Sequence, residues 1–240
     1  MYQPRTYRHW IKSQDLVSFN VVVKETDLHI QAATKLQRKT VKSVSKYRDI
    51  LERYIERHPS FLTSLEPLAV GDDAPRLIKS MAESAGKAGV GPMAAVAGAI
   101  AEFVGYELLP FSPEIIIENG GDIFLKTSRQ RQVGIYAGES PLSGKIALEI
   151  EARNTPLGIC TSSGTVGHSL SYGKADAVIV LSPSTPLADA AATAIGNLVK
   201  TSGDIPAGIE FAQSIDGLLG IVIIKDDNMG LWGEVKISQT

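Results

Sequence analysis

The stretch Ala177-Val-Ile-Val-Leu-Ser-Pro-Ser-Thr-Pro-Leu-Ala-Asp-Ala-Ala-Ala-Thr-Ala-Ile195 sets a short, wholly apolar run before a segment of helical spacing. Ala177 to Leu181 has the length and continuity of a strand buried on both faces. From Ala188 to Lys200 the chain reads as a helix. Ala190, Ala191, Ala192 and Ala194 keep it slim enough to press closely on a sheet, and Ile195, Leu198 and Val199 supply its apolar face. In such a helix Asp189 and Thr193 lie one turn apart on one face, beside the Ser/Thr/Gly-rich turn Thr161-Ser-Ser-Gly164. A carboxylate and a hydroxyl converging there suit a hard cation or a phosphate. The plainer account is an amphipathic helix with a dipole-friendly aspartate in its first turn.

Outward from this stretch, Lys145 to Ala152 alternates Ile146, Leu148 and Ile150 as a strand, a second helix spans about Ile205 to Ile215, and Leu218–Lys225 and Leu231–Ile237 read as a hairpin turned at Asp226-Asp227-Asn228. The first half has the same order. Leu16–Val23 and Leu28–Ala33 are paired strands; Val44, Tyr47, Leu51, Tyr54 and Ile55 mark a helix ended by Pro59; another helix follows Asp72-Asp73; and a third, rich in alanine and glycine, begins near Pro92. Strands Glu114–Lys126 and Gln132–Ala137 close that half. Strand, strand, helix, helix, strand, strand, written twice, predicts an α+β fold of mostly antiparallel sheet covered on one side by helices. No linker of disordered composition divides it, so one domain over residues 1–240 is expected, in halves of about 1–140 and 141–240.

With 240 residues, 44% hydrophobic, 21% charged and a net charge of -2, the chain has enough apolar material for a full core and no basic excess that would call for nucleic acid. The cations of the first helix are interleaved with Asp49, Glu52 and Glu56 and read as a solvated face. The single cysteine, Cys160, excludes an internal disulfide and fits a reducing compartment. The longest apolar run, Met93–Val104, is interrupted by Glu102 and is shorter than the ~20 residues of a membrane span. Residues 1–10 lack the apolar core of a signal peptide. A cytoplasmic protein without a membrane anchor is expected.

A second motif interrupts the apolar strand Ile115–Leu125 with Asn119-Gly120-Gly121-Asp122. Paired glycines in a strand mark a bulge or the close approach of a ligand, and Glu118, Asn119 and Asp122 would crowd polar groups there. A plain Asn-Gly hairpin turn accounts for the same residues. Both readings stand on sequence.

Taken together, a small-residue helix after Gly91, Asn119-Gly-Gly-Asp-Ile123, Thr161-Ser-Ser-Gly164, a histidine and Ala188-Asp-Ala-x-Ala-Thr193 resemble, in collinear order over about residues 90–200, the ApbE-like proteins, best known as flavin transferases. The Tyr2–Trp10 segment is similar to a poorly characterised cytoplasmic branch found in anaerobes and methanogens. The resemblance implies a tandem T-fold-like duplication, with magnesium ligands at Asp189 and Thr193. It implies contacts to FAD or another flavin nucleotide from Asn119, Gly120, Gly121, Asp122, Thr161, Ser162, Ser163 and Gly164. His168 is the implied catalytic base. In flavin transferases the metal neutralises the pyrophosphate of FAD while FMN passes to a threonine hydroxyl of an acceptor protein, so a nucleotide ligand and an acceptor protein are the implied partners. T-fold relatives often build sites between subunits, which leaves a homo-oligomer open. The branch has been linked to sulfur assimilation and homocysteine formation, and this implies an alternative, non-transferase role as an accessory or binding protein.

This chain departs from the family pattern. It carries His168-Ser-Leu-Ser-Tyr-Gly-Lys174 where flavin transferases have a longer run containing Asp-Pro-x-Thr-Gly, Val90 stands where a lysine is usual, and the following helix lacks the usual aspartate. Cys160, following Leu157-Gly-Ile159, reads as a buried, inert thiol. His9, His29 and His58 lack metal-ligand spacing. Arg5 and Arg8, among Tyr2, Tyr7 and Trp10, suit either a phosphate clamp or an ordinary edge strand.

Overall fold

Two strands, β1 (Val17–Val23) and β2 (Thr26–Ala32), open the fold as a hairpin in which Lys24 takes a left-handed φ of 52°. The computed structural model describes residue 13 and residues 15–165 and 172–240; the Tyr2–Trp10 segment and His168 lie outside the described residues. Four helices follow: α1 (Gln37–Arg57), the short α2 (Ser60–Thr63), α3 (Arg76–Ala88) and α4 (Val96–Leu108), the last entered through a 3-10 turn at Pro92–Ala95. Strands β3 (Ile115–Asn119), β4 (Asp122–Lys126), β5 (Arg131–Gly134), β6 (Ile146–Ile150), β7 (Leu157–Ser162) and β8 (Ala177–Ser182) lead to α5 (Thr185–Leu198) and α6 (Ile205–Ser214). The described chain closes with β9 (Gly220–Lys225), β10 (Asn228–Gly233) and β11 (Ile237–Gln239).

The strands form an eight-stranded sheet in the order β1-β2-β3-β4-β7-β8-β9-β10, antiparallel throughout. A first quartet of strands thus meets a second across the β4–β7 pair, where Ile123 faces Ile159. Both faces of this sheet are covered, which is why its central strands are continuous apolar runs rather than alternating ones. In β8, Val178 and Val180 enter the larger core beneath the helices, while Ala177, Ile179 and Leu181 enter a second core on the other face. The second core is closed by a three-stranded sheet, β11-β6-β5, through Val133, Leu148 and Ile150.

That second sheet corrects the one-sided covering expected from sequence. The segments expected as strands at 132–137 and 145–152 hold the shorter β5 and β6, which leave the main sheet to cap it, and the opening strands of the second half are β7 and β8. The hairpin arm Leu231–Ile237 divides into β10 and β11, which belong to different sheets. The helix expected from Ala188 starts three residues earlier. Ser184 caps it by accepting the Leu187 N–H at 3.4 Å, and Pro186 lies in the first turn, where its missing donor is not needed.

Among the described residues one helical stretch, Pro92–Phe111, is long and apolar enough by length and composition to cross a membrane. It is the core helix of this fold: Ala95, Ala99, Ile100, Ala101, Val104 and Leu108 are buried in the larger core.

Candidate functional site

The Asn119-Gly-Gly-Asp motif is a two-residue hairpin turn. Asn119 pairs with Asp122 across β3 and β4, and Gly120 and Gly121 hold φ of 70° and 109°, a conformation that side chains oppose. Glu118, buried, accepts the Gly121 N–H at 2.9 Å, and the Asn119 amide donates to the Ala97 carbonyl at 3.0 Å. The hairpin is therefore fastened to the first turn of α4. It also lies beside the end of β7, where a Cβ on Gly121 would come 3.7 Å from the Thr161 carbonyl.

Asp122 starts β4 in the same pleat as Phe124 and so faces the helices, as does Cys160 of β7. From the helix side comes Asp189. As the fifth residue of α5 it lies past the turn in which it would cap its own helix; its Oδ2 instead accepts the Gly98 N–H of α4 at 2.8 Å, and the Ala97 N–H also bonds to it. In return Glu102 of α4 accepts the Thr185 N–H at the start of α5 at 2.7 Å.

Burial pushes Asp189 up to about 7, against the pull of the Gly98 and Ala97 N–H groups. Burial also raises Asp122 well above the usual carboxylate range, the neighbouring Asp189 charge adding to it. The Cys160 thiol, which donates to the Thr185 carbonyl at 3.4 Å, is driven up by burial and by the same two carboxylates. Glu102 is raised by burial. Among the described residues no Lys, Arg or His forms an ion pair with Asp122 or Asp189.

Thr193, half-buried, follows one turn after Asp189 on α5. Thr161 and Ser162 end β7 rather than forming a turn, and Ser162 Oγ lies against α5 at Gly196, 3.2 Å from where a Cβ would stand. Ser163 and Gly164 begin the following loop. The Ser163 hydroxyl accepts the Thr165 N–H at 3.1 Å, and Gly164 N–H donates to Ala175 O at 2.9 Å. The structure thus brings the hairpin, the end of β7 and α5 to one place; His168 is outside the described residues.

Among the described residues no three His, Cys, Asp or Glu side chains make a metal-ligating group. An all-protein cage is therefore not built here. Two carboxylates and a hydroxyl instead fit a hard cation that retains water and takes phosphate oxygens as its remaining ligands. The residue that sequence reasoning passed over is Glu102, whose signal was its place as the one carboxylate inside the apolar run Met93–Val104.

The AbpE bacteria family model matches residues 8–215. The chain belongs to that family. Within it, this ApbE-like protein is 44% identical over 227 residues to a UPF0280 protein of Methanopyrus kandleri, covering 91% of each chain. It is 41% identical over 227 residues to one of Methanococcus vannielii, covering 92% of each. Its fold is like that of the apo flavinyl transferase ApbE of Pseudomonas stutzeri, with a TM-score of 0.60 at 13% identity, covering 90% of this chain and 93% of that one. The ApbE protein of Thermotoga maritima matches with a TM-score of 0.53 at 11% identity, covering 91% and 97%. The ApbE-like membership expected from sequence is thereby established.

Proposed function

We propose that this ApbE-like protein binds FAD or a related flavin nucleotide together with magnesium, where the β3–β4 hairpin, the end of β7 and α5 meet. The observation that carries the reading is the pair Asp122 and Asp189: two buried carboxylates, held near one another with no cationic partner among the described residues. Such a pair resists ionisation until a cation joins it. Asp189, Thr193 and Asp122 would hold the magnesium, which when bound supplies neutralisation of the diphosphate and of the charge developing on a leaving AMP.

The chain's own groups do the positioning. The Gly120-Gly121 turn, without side chains, lets a ligand approach the backbone, and Thr161, Ser162 and Ser163 offer hydroxyl groups to phosphate or ring oxygens while the Gly164 N–H, bonded to Ala175 O, holds the start of the loop. Asn119 ties the hairpin to α4 and fixes its distance from Asp189. For transfer, an acceptor hydroxyl oxygen attacks the FMN phosphorus, the bond from that phosphorus to the AMP oxygen breaks, and the hydroxyl proton passes to a base, the role proposed for His168. Water in place of the acceptor gives FAD cleavage to FMN and AMP. The name of the Pseudomonas stutzeri fold relative, a flavinyl transferase, supports this reading, and we read the two strand quartets of the sheet as a duplicated T-fold-like unit.

The test is AMP release from FAD by the purified protein, with and without candidate acceptor proteins. Release above a magnesium-free control is expected. Its absence, under conditions where FAD binds, reassigns the chain to nucleotide binding without transfer.

A further inference from the structure

The two helices beneath the site grip one another reciprocally. On α4, Gly98 presents its N–H and Glu102, one turn later, its carboxylate; on α5, Thr185 presents its N–H and Asp189, one turn later, its carboxylate. Each carboxylate satisfies the N–H at the start of the other helix, a group that has no intrahelical partner. The contact is as close as backbones allow, since a Cβ on Gly98 would stand 2.6 Å from the Thr185 carbonyl and 2.9 Å from Asp189 Cβ. Neither helix can slide along the other without breaking both bonds.

We propose that Glu102 is a positioning residue for the candidate site: its bond to the Thr185 N–H fixes the axial register of α5 against α4, and through that register the placement of the Asp189 and Thr193 oxygens toward a divalent cation and its diphosphate ligand. Glu102 itself touches α5 rather than ligand. Asp189 has to remain an acceptor for the Gly98 and Ala97 N–H groups while presenting an oxygen to the cation, and a fixed register allows both. The ligand class rests on the reading given under Proposed function; the register claim does not.

Two measurements on the full chain separate them. Amide hydrogen exchange at Gly98, followed by NMR without ligand, reports the register directly. Glu102→Ala is expected to speed that exchange about tenfold or more, because a hydrogen bond to a charged acceptor is lost from the reciprocal pair. Glu102→Gln, which keeps an acceptor oxygen at the same reach, is expected to retain protection within about threefold of wild type. Glu102→Asp, with the charge kept and the reach shortened, should behave like the alanine variant and serves in its place if that variant does not fold. The second measurement is the apparent Kd for FAD in magnesium, expected to weaken about tenfold in Glu102→Ala and Glu102→Asp and to be restored in Glu102→Gln. Unchanged Gly98 protection in both truncated variants, or a Glu102→Gln variant as impaired as Glu102→Ala, overturns the proposal. Loss of Gly98 protection in a protein whose wild type binds no FAD sustains the register and removes the ligand reading.

Discussion

Asp122 at the head of β4 and Asp189 in α5 come from opposite halves of the chain, yet they lie near enough for the charge of Asp189 to add to the burial that raises Asp122 well above the usual carboxylate range. On the proposed reading, fold stability and cation binding are linked through this pair, because a cation joining it would offset the repulsion and burial that disfavour its ionised form.

The linkage has a definite sign. Asp189 titrates at about 7 in the folded chain against an ordinary 3.8, so between those values the folded state holds a proton that the unfolded state has released, and stability falls as pH rises. Asp15 and Glu114, held down to about 2 by Arg131 and, for Glu114, by Ser128 and Thr127, act the other way, losing their contribution as pH falls below the ordinary carboxylate range. In the presence of chelator the Tm is expected to decline from about pH 4 to pH 7. Asp189→Asn, neutral at every pH, should lessen that slope, leaving the part that buried Asp122 contributes with the same sign. A wild-type profile that rises across the window, with the variant parallel to it, would contradict the assignment.

Magnesium should restore what ionisation removes. A cation that binds only the folded, deprotonated pair raises Tm by mass action, and more at pH 8 than at pH 5. Asp189→Asn should lose that rise while folding at least as well as wild type without metal. An equal magnesium effect in the variant would place the cation elsewhere.

Packing at the helix contact is tested by two glycines. Gly98→Ala would drive a methyl group into the Thr185 carbonyl and should destabilise by about 1–3 kcal/mol, overriding the helix preference of alanine. Gly86, exposed in α3 with nothing within 4 Å of where a Cβ would stand, should gain about 0.5–1 kcal/mol on the same change. Urea denaturation of the two variants reads the contrast; a stabilised Gly98→Ala protein would mean the helices are not in contact there.

Cys160 is fully buried and its thiol is raised by burial and by two carboxylates, so it should resist an aromatic disulfide reagent in the native state and react once the chain is unfolded. Prompt, complete modification of the native protein would refute its placement under α5.

Much of this was legible in the sequence because one physical signal dominated each element. The spacing of Val44, Tyr47 and Leu51 gives α1, and the unbroken run Ala177–Leu181 gives a strand buried on both faces, as β8 is. What that run does not say is what covers the second face. Leu148 and Val133 alternate in the same way whether their strands join the main sheet or cap it, so the separate β11-β6-β5 layer was not readable. The glycine pair at 120–121 was equally consistent with a bulge or a turn, and the Asn119–Asp122 pairing decided for the turn. Asp189 was found from its spacing to Thr193, but its bond to Gly98 joins residues 91 positions apart, a distance that local periodicity does not encode. Glu102 stood out only as a polar break in an apolar helix.

The most direct test of the account is a calorimetric titration of FAD into the purified protein, with magnesium and again with chelator, for wild type and for Asp189→Ala. One FAD per chain, bound in magnesium and weakened about tenfold or more both by chelation and by the substitution, is the expected result. FAD binding of equal affinity in all arms, or none in any, would contradict a magnesium-dependent nucleotide site at Asp189.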